Sequence, residues 1–307
     1  MSDFPRILLG IALDPTDRAT LRTCAALGAR LGATHVSLLH AVRPPADLDE
    51  EAVRLLMTER QTLSQRAVAE AQVTLGDAVT VQARVVEGKP ATVVLRTAHE
   101  EHYDLVALGR STYGPGSRLG SDAGAIVRKA PCSVLAVPHG ADPSLGKVLV
   151  PVDFSARSAE AIETALRILW ASESPHLVIT HLYEVHSAYG RTGRTEEEAD
   201  AAQRAVAMER WTSFAKQFDF GEVHLELRFE GAHTSHILNS HHARQMLALI
   251  DAAEPDLIVI SSQGRSNAAG VLLGSMAARL VAEADRSLLI LRRPGDNVGL
   301  IEALMRL

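Results

Sequence analysis

Along this chain, apolar runs of five to seven residues recur between longer stretches whose apolar positions come every three or four residues. In the second half the runs "VLVPV", "LVITHLY", "LIVI" and "LLIL" are apolar almost throughout. A strand with one wet face alternates between apolar and polar residues. A strand packed on both faces does not, so these runs predict a parallel sheet covered by helices on either side. Between them, Ala161, Ile162, Ala165, Leu166 and Leu169 recur at i, i+1, i+4, i+5 and i+8, which is one face of a helix. Residues 48–72 and 195–218 read as longer amphipathic helices with charged outer faces, and residues 294–307 as a short one. Strand–helix–strand order then gives a doubly wound α/β architecture with helices on both faces.

The pattern occurs twice. Residues 6–27 lie over residues 147–169 at an offset of 141, and "VSLLHAV" over "LVITHLYEV" brings His40 against His181. "DLVALG" matches "DLIVIS" at an offset of 152, and residues 120–138 match residues 274–292 at 154. The offset grows because the second copy carries insertions. "PHGADPSLG" (138–146) has the Pro and Gly density of a linker, so the chain divides into tandem domains at 1–140 and 146–307.

Composition narrows the partners. With 47% hydrophobic and 22% charged residues, the chain is that of a globular protein. A net charge of −6, no clustered Lys/Arg run and only 4% aromatics argue against a nucleic-acid partner. No uninterrupted apolar run approaches the ~18 residues a membrane span needs. The N-terminal "MSDFPRILLGIALD" resembles a first strand more than a signal peptide. Two cysteines, Cys24 and Cys132, one per copy in apolar surroundings, predict buried thiols in a reducing cytoplasm.

In open parallel sheets, ligands bind beyond the carboxyl ends of the strands. Three pieces of the second copy gather there: Asp153 after "VLVPV", the segment after "VITHLY", and the loop "SSQGRSNAAGVLLGS" (261–275). That loop leads into a helix near Gly274 and Ser275, with Met276 next. A helix N-terminus presents unpaired N–H groups and a partial positive charge, which favour an anion. Ser275 offers a hydroxyl at the cap, Arg265 could reach an outer phosphate, and Asp153 suits a sugar hydroxyl or an exocyclic amine. Two glycines ten positions apart are weak evidence alone, since Gly274-Ser275 could simply cap a helix.

With these residues in view, the sequence resembles a tandem universal stress protein over nearly its whole length. The family pattern is an early Asp after the first strand, "DLIVxG" for the fourth, then Gly, two residues, Gly, nine residues, Gly and Ser or Thr. The second copy matches at Asp153, Gly264, Gly274 and Ser275, and carries Ser261 in place of the first glycine. The resemblance implies a Rossmann-like fold that binds ATP or AMP, with or without Mg2+. Asp153 and the main chain at His181 and Leu182 would hold adenosine, and the Gly loop the phosphates. It also implies that the two copies pair edge to edge through their last strands as a pseudo-dimer, with a further homodimer left open.

The first copy departs from the pattern. Ala12 stands where the second copy has Asp153, Asp14 is displaced two positions, and the Gly loop is two residues shorter with Thr112 where a glycine is expected. A degenerate, structural copy is the expectation.

Between the Gly that follows strand three and the Asp before strand four, the second copy is nine residues longer than the first (231–256 against 88–104). The surplus carries His233, His236, His241 and His242. Imidazoles can bind zinc, but no Cys is near and no H-x₃-H pair shares a helical face, so a polar loop rim is preferred to a metal site. The functional expectation is a nucleotide-binding regulatory stress protein. A scaffold without nucleotide and a slow ATPase remain as alternatives. There is no "GxxxxGK[ST]" loop and no acid in the Gly loop to hold a metal near a γ-phosphate. A phosphorylation receiver is disfavoured because "VPVDFSARS" has a single acid.

Overall fold

The computed structural model of the protein describes residues 4–110, 120–185, 193, 195–233, 238–262 and 273–293, with backbone alone at 233, 238–241 and 275. The first copy runs β1 (Arg6–Gly10), α1 (Asp17–Arg30), β2 (His35–Val42), α2 (Glu50–Leu75), β3 (Thr80–Glu87), α3 (Pro90–Glu100), β4 (Leu105–Arg110), α4 (Ser121–Lys129) and β5 (Ser133–Pro138). The second repeats the order as β6 (Lys147–Pro151), α5 (Ala156–Leu169), β7 (His176–Val185), α6 (Glu196–Ala215), β8 (His224–His233), α7 (Leu238–Ala253), β9 (Leu257–Ser261), α8 (Ser275–Glu283) and β10 (Ser287–Leu291).

The ten strands form one sheet in the order β3-β2-β1-β4-β5-β10-β9-β6-β7-β8. Every neighbouring pair is parallel except β5 and β10, which meet antiparallel with Leu289 opposite Leu135. Two apolar layers sandwich the sheet. One lies under α1, α2, α5 and α6, and the other under α3, α4, α7 and α8. Leu257, Ile258 and Val259 are fully buried, as strands covered on both sides must be.

Local chemistry sets the helix ends. In α5 the predicted face Ala161, Ile162, Ala165, Leu166 and Leu169 is buried, and the Ser155 hydroxyl caps the helix by accepting from the Ser158 N–H at 3.2 Å. The predicted helix at 48–72 starts two residues later, because Asp49 is its N-cap and accepts from the Ala52 N–H at 2.8 Å; it ends before Gly76 at φ 79°. The helix expected at 195–218 covers Glu196–Ala215, opened by a capping box of Thr195 and Glu198.

Two expectations need correction. Part of the histidine-rich surplus is not a loop rim: β8 has 10 residues against 8 in β3 and ends on His233, and α7 has 16 against 11 in α3 and includes His241 and His242, while residues 234–237 lie outside the described residues. The segment "NSHHARQMLAL" contains no Gly or Pro and carries good helix formers, so it propagates α7. Cys24 is buried, but Cys132 is only partly so, although its thiol is enclosed enough that desolvation pushes it up to about 12, as it does for Cys24.

Candidate functional site

In each half the strand order reverses direction between the first and fourth strands, β1 and β4 or β6 and β9. Such a switch point leaves a crevice at the strands' carboxyl ends. The crevice differs between the copies. β1 and β4 are paired at four positions, from Ile7–Leu105 to Gly10–Leu108. β6 and β9 are paired only at Val148–Leu257 and Leu149–Ile258. Pro151 stands where the first copy has Gly10 and brings no N–H to the ladder. The carboxyl ends of β6 and β9 are therefore free to part.

A cleft of about 330 Å³ lies there. Asp153, His181, Leu182, Ser261, Gly274 and Met276, all singled out in the sequence, line it together. Gly264 and Arg265 lie outside the described residues, as does His236; the side chains of Ser275, His233 and His241 do also. Among the described residues no group of three His, Cys, Asp or Glu side chains is placed to hold a metal ion. His242 lines the cleft instead.

The Asp153 turn is built by its neighbours. Asp153 Oδ1 accepts from the Ser155 N–H at 3.0 Å and from the Ser158 hydroxyl at 2.5 Å, while the Asp153 N–H donates to Ser158 Oγ at 3.0 Å. This loop holds Phe154 at φ 63°. His181 ties it to β7: its Nδ1 lies 2.7 Å from the Val152 carbonyl, which can only accept, so the proton is on Nδ1. The His181 ring also packs against Phe154 and Phe229, with centroids 4.4 and 5.4 Å apart. His181 is thus a strut by its side chain, and it borders the cleft together with Leu182.

Across the cleft stands the start of α8. Its N-cap is Gly274 rather than Ser275, which is the first helical residue, and among the described residues no side chain caps the helix. The Gly274 N–H donates to the Ser262 carbonyl at 2.9 Å. Gly274 does not need to be glycine for its own backbone, since its φ is −53° and an added Cβ would approach nothing nearer than Ser262 O at 3.7 Å. Among the described residues no side chain takes up the N–H groups of the first turn.

Sequence reasoning did not single out Ser158, Glu184 or Met246, although all three line the cleft. Ser158 had a local signal, since "DFSARS" places a second hydroxyl one turn beyond the N-cap. Glu184 and Met246 had none, because they reach the cleft from β7 and α7, far apart in the chain.

The first copy keeps the frame and changes the contents. His40 Nδ1 lies 2.9 Å from the Ile11 carbonyl, and Leu13 has φ 62°, matching His181 and Phe154 at the offset of 141. The position of Ser158 is taken by Asp17, whose carboxylate accepts from the N–H groups of Ala12, Leu13 and Asp14 at 3.0, 2.8 and 3.3 Å. Burial raises the Asp17 pKa in spite of these donors.

A model of the universal stress protein family matches this chain twice, over residues 3–138 and 145–292. A universal stress protein of Mycolicibacterium smegmatis is 25% identical over 302 residues, covering 93% of this chain and 96% of the relative. Among solved structures, a universal stress protein of Archaeoglobus fulgidus aligns with 94% of this chain and 98% of its own, at 15% identity and a TM-score of 0.62. A functionally unknown protein of Pseudomonas aeruginosa aligns with 99% of this chain and 98% of its own, at 16% identity and a TM-score of 0.68. With two matches that together span nearly its whole length, the chain belongs to the universal stress protein family, as two copies of the family domain.

Proposed function

We propose that the second copy binds an adenine nucleotide, ATP or AMP, in the cleft between β6 and β9, and that binding serves regulation rather than turnover. The observation that carries this reading is the pairing of an α8 N-terminus that no described side chain caps with the pinned Asp153 carboxylate across one cleft. The first suits phosphate and the second a ribose hydroxyl or a base amine. A volume of about 330 Å³ is in the range of small-ligand sites. In this reading Asp153 and the main chain at His181 and Leu182 hold adenosine. Gly264, Arg265, Gly274, Ser275 and Met276 surround the phosphates, which would bring any Mg2+ with them. Asp153 is engaged with Ser155 and Ser158, an arrangement suited to holding a ligand rather than moving a proton.

The first copy has no role in holding nucleotide and completes an intramolecular pseudo-dimer; the antiparallel β5–β10 pair supports this. Two buried arginines support it further. Arg110, 1% exposed at the end of β4, donates to the Ala284 carbonyl beyond α8. Arg292, 8% exposed after β10, donates to the carbonyls of Val127 and Arg128 in the last turn of α4 at 2.5 and 3.3 Å. Each copy therefore places a guanidinium on the carbonyl end of the other copy's last helix, where unpaired acceptors and the negative end of the helix dipole lie. Two thiols without a disulfide and no described helix long and apolar enough to cross a membrane support a cytoplasmic location.

The test is to denature protein freshly purified from cells and chromatograph the supernatant on an ion exchanger, beside Gly274→Asp. One ATP or AMP per chain, absent in the variant, is expected. An empty supernatant, followed by no binding when ATP is titrated in, would replace this reading with that of a scaffold.

A further inference from the structure

A second cavity, of about 280 Å³, lies in the first copy on the opposite face of the sheet from the cleft, between β1, α1 and α2. Its floor and walls are the aliphatic side chains of Leu9, Ile11, Leu38 and Leu63, of which the first three are buried. Asp17, Arg66 and Glu70 stand among its lining residues. No part of the nucleotide reading uses it.

The second copy shows what fills this place when it is filled. Leu13, which lines the cavity, corresponds to Phe154; the two share the offset of 141, positive φ values of 62° and 63°, and the second position after a His-bonded carbonyl. Phe154 turns its ring against His181, Phe214 and Phe229, with centroids 4.4, 5.6 and 6.3 Å away, and Arg210 of α6 lies 4.8 Å over its face. The residue paired with His181 in the sheet is Phe229, and the one paired with His40 is Val85. At the cavity the first copy has thus exchanged the Phe154 ring for Leu13, while Val85, the counterpart of Phe229, lies outside the lining. It keeps an arginine, Arg66 on α2, beside the space.

We infer that the cavity under Leu13 is a binding site for a neutral aromatic molecule of one or two fused rings, which takes the place the Phe154 ring holds in the second copy. The size suits it, since a cavity of about 150 Å³ already accepts benzene in a protein core. The aliphatic walls supply the apolar contact, and the guanidinium of Arg66 supplies the cation over the ring that Arg210 supplies for Phe154. The remaining charges near the space, Asp14, Asp17 and Glu70 against Arg18 and Arg66, are of both signs and select no ion.

The experiment titrates indole into the full-length protein by calorimetry and follows the melting temperature. Wild type is expected to take up one indole per chain saturably and to melt higher with it. Leu13→Phe, which the backbone accommodates because Phe154 already sits at the same φ, should weaken indole at least tenfold without lowering the melting temperature. Phe154→Leu should create a second indole site. Saturating ATP should leave the first site unaffected. The inference is overturned if wild type shows no saturable uptake up to the solubility of indole. It is equally overturned if Leu13→Phe binds indole as wild type does, or if ATP displaces it.

Discussion

In the first copy the loop after β1 folds around the carboxylate of Asp17; in the second, the matching loop folds around the hydroxyl of Ser158, and the carboxylate sits five residues earlier at Asp153. Both loops have the same positive φ and the same histidine strut. The backbone path is therefore indifferent to which side chain satisfies its N–H groups. The two solutions leave different surfaces. A carboxylate at position 17 is spent on backbone donors, whereas Ser158 serves the turn and orients Asp153 toward the crevice. The strand edges follow the same division. β1 and β4 stay paired to Gly10–Leu108, while β6 and β9 part after Leu149–Ile258 and leave room for the cleft. The frame is thus kept in both halves, and the strand ends part in one.

The largest expected contrast is between the two helix-capping glycines, Gly274 and Gly120, which occupy the same N-cap position in α8 and α4. Gly274→Asp should lower ATP affinity at least a hundredfold, about 2.7 kcal/mol, by setting a negative charge against phosphate. Gly120→Asp should leave it unchanged. Asp is a good N-cap residue, so neither variant should melt lower than wild type. Equal loss in both, measured by calorimetry, would break the asymmetry between the copies.

Next is the pair of arginines that joins the copies. Arg110→Leu and Arg292→Leu each remove a charged donor from buried carbonyls, and each should cost about 2 kcal/mol in urea unfolding. Similar costs are expected because the two contacts have the same form. A cost confined to one would show that the halves are not held symmetrically.

A smaller effect is expected at the acid. Asp153→Asn should weaken nucleotide roughly tenfold, ~1.4 kcal/mol. Ala12→Asp combined with Asp17→Ser gives the first copy the second copy's turn, yet should confer no second nucleotide site, because β1 and β4 remain paired through Gly10–Leu108. Two nucleotides per chain in that variant would locate the difference in the turn rather than the strands.

The smallest effect is a pH dependence. Burial holds the Asp17 pKa above its ordinary value of 3.8, so the folded protein keeps the proton longer than the unfolded chain does. The resulting stability is complete below pH 3.8 and is lost as pH rises through the folded pKa. Urea unfolding from pH 3.5 to 6 should show wild type losing ground to Asp17→Asn as pH rises. A gap between the two that stays constant, or moves the other way, would show that the three N–H donors outweigh burial.

Much of this molecule was legible in its residue order. The repeat, the all-apolar strands, the buried face of α5 and the gathering of Asp153, Ser261 and Gly274 follow from periodicity and from the rule that α/β sheets bind at strand carboxyl ends, while Leu182 was singled out only by the family resemblance. These features are local, or depend on a topology the strand–helix alternation dictates. Other features needed the folded chain. That Glu184 and Met246 border the same cleft depends on β7 lying one strand beyond β6 from β9 and on α7 packing against α8, which no spacing encodes. That His241 and His242 fall within α7 depends on a helix having a sheet to lie on. The arginine exchange depends on β5 and β10 bringing Arg110 within reach of Ala284, 174 residues away in sequence. Periodicity reports which side of an element is buried, because water is excluded face by face. What a buried side chain meets there is set by packing between elements, and that exists only once the two copies have folded against each other.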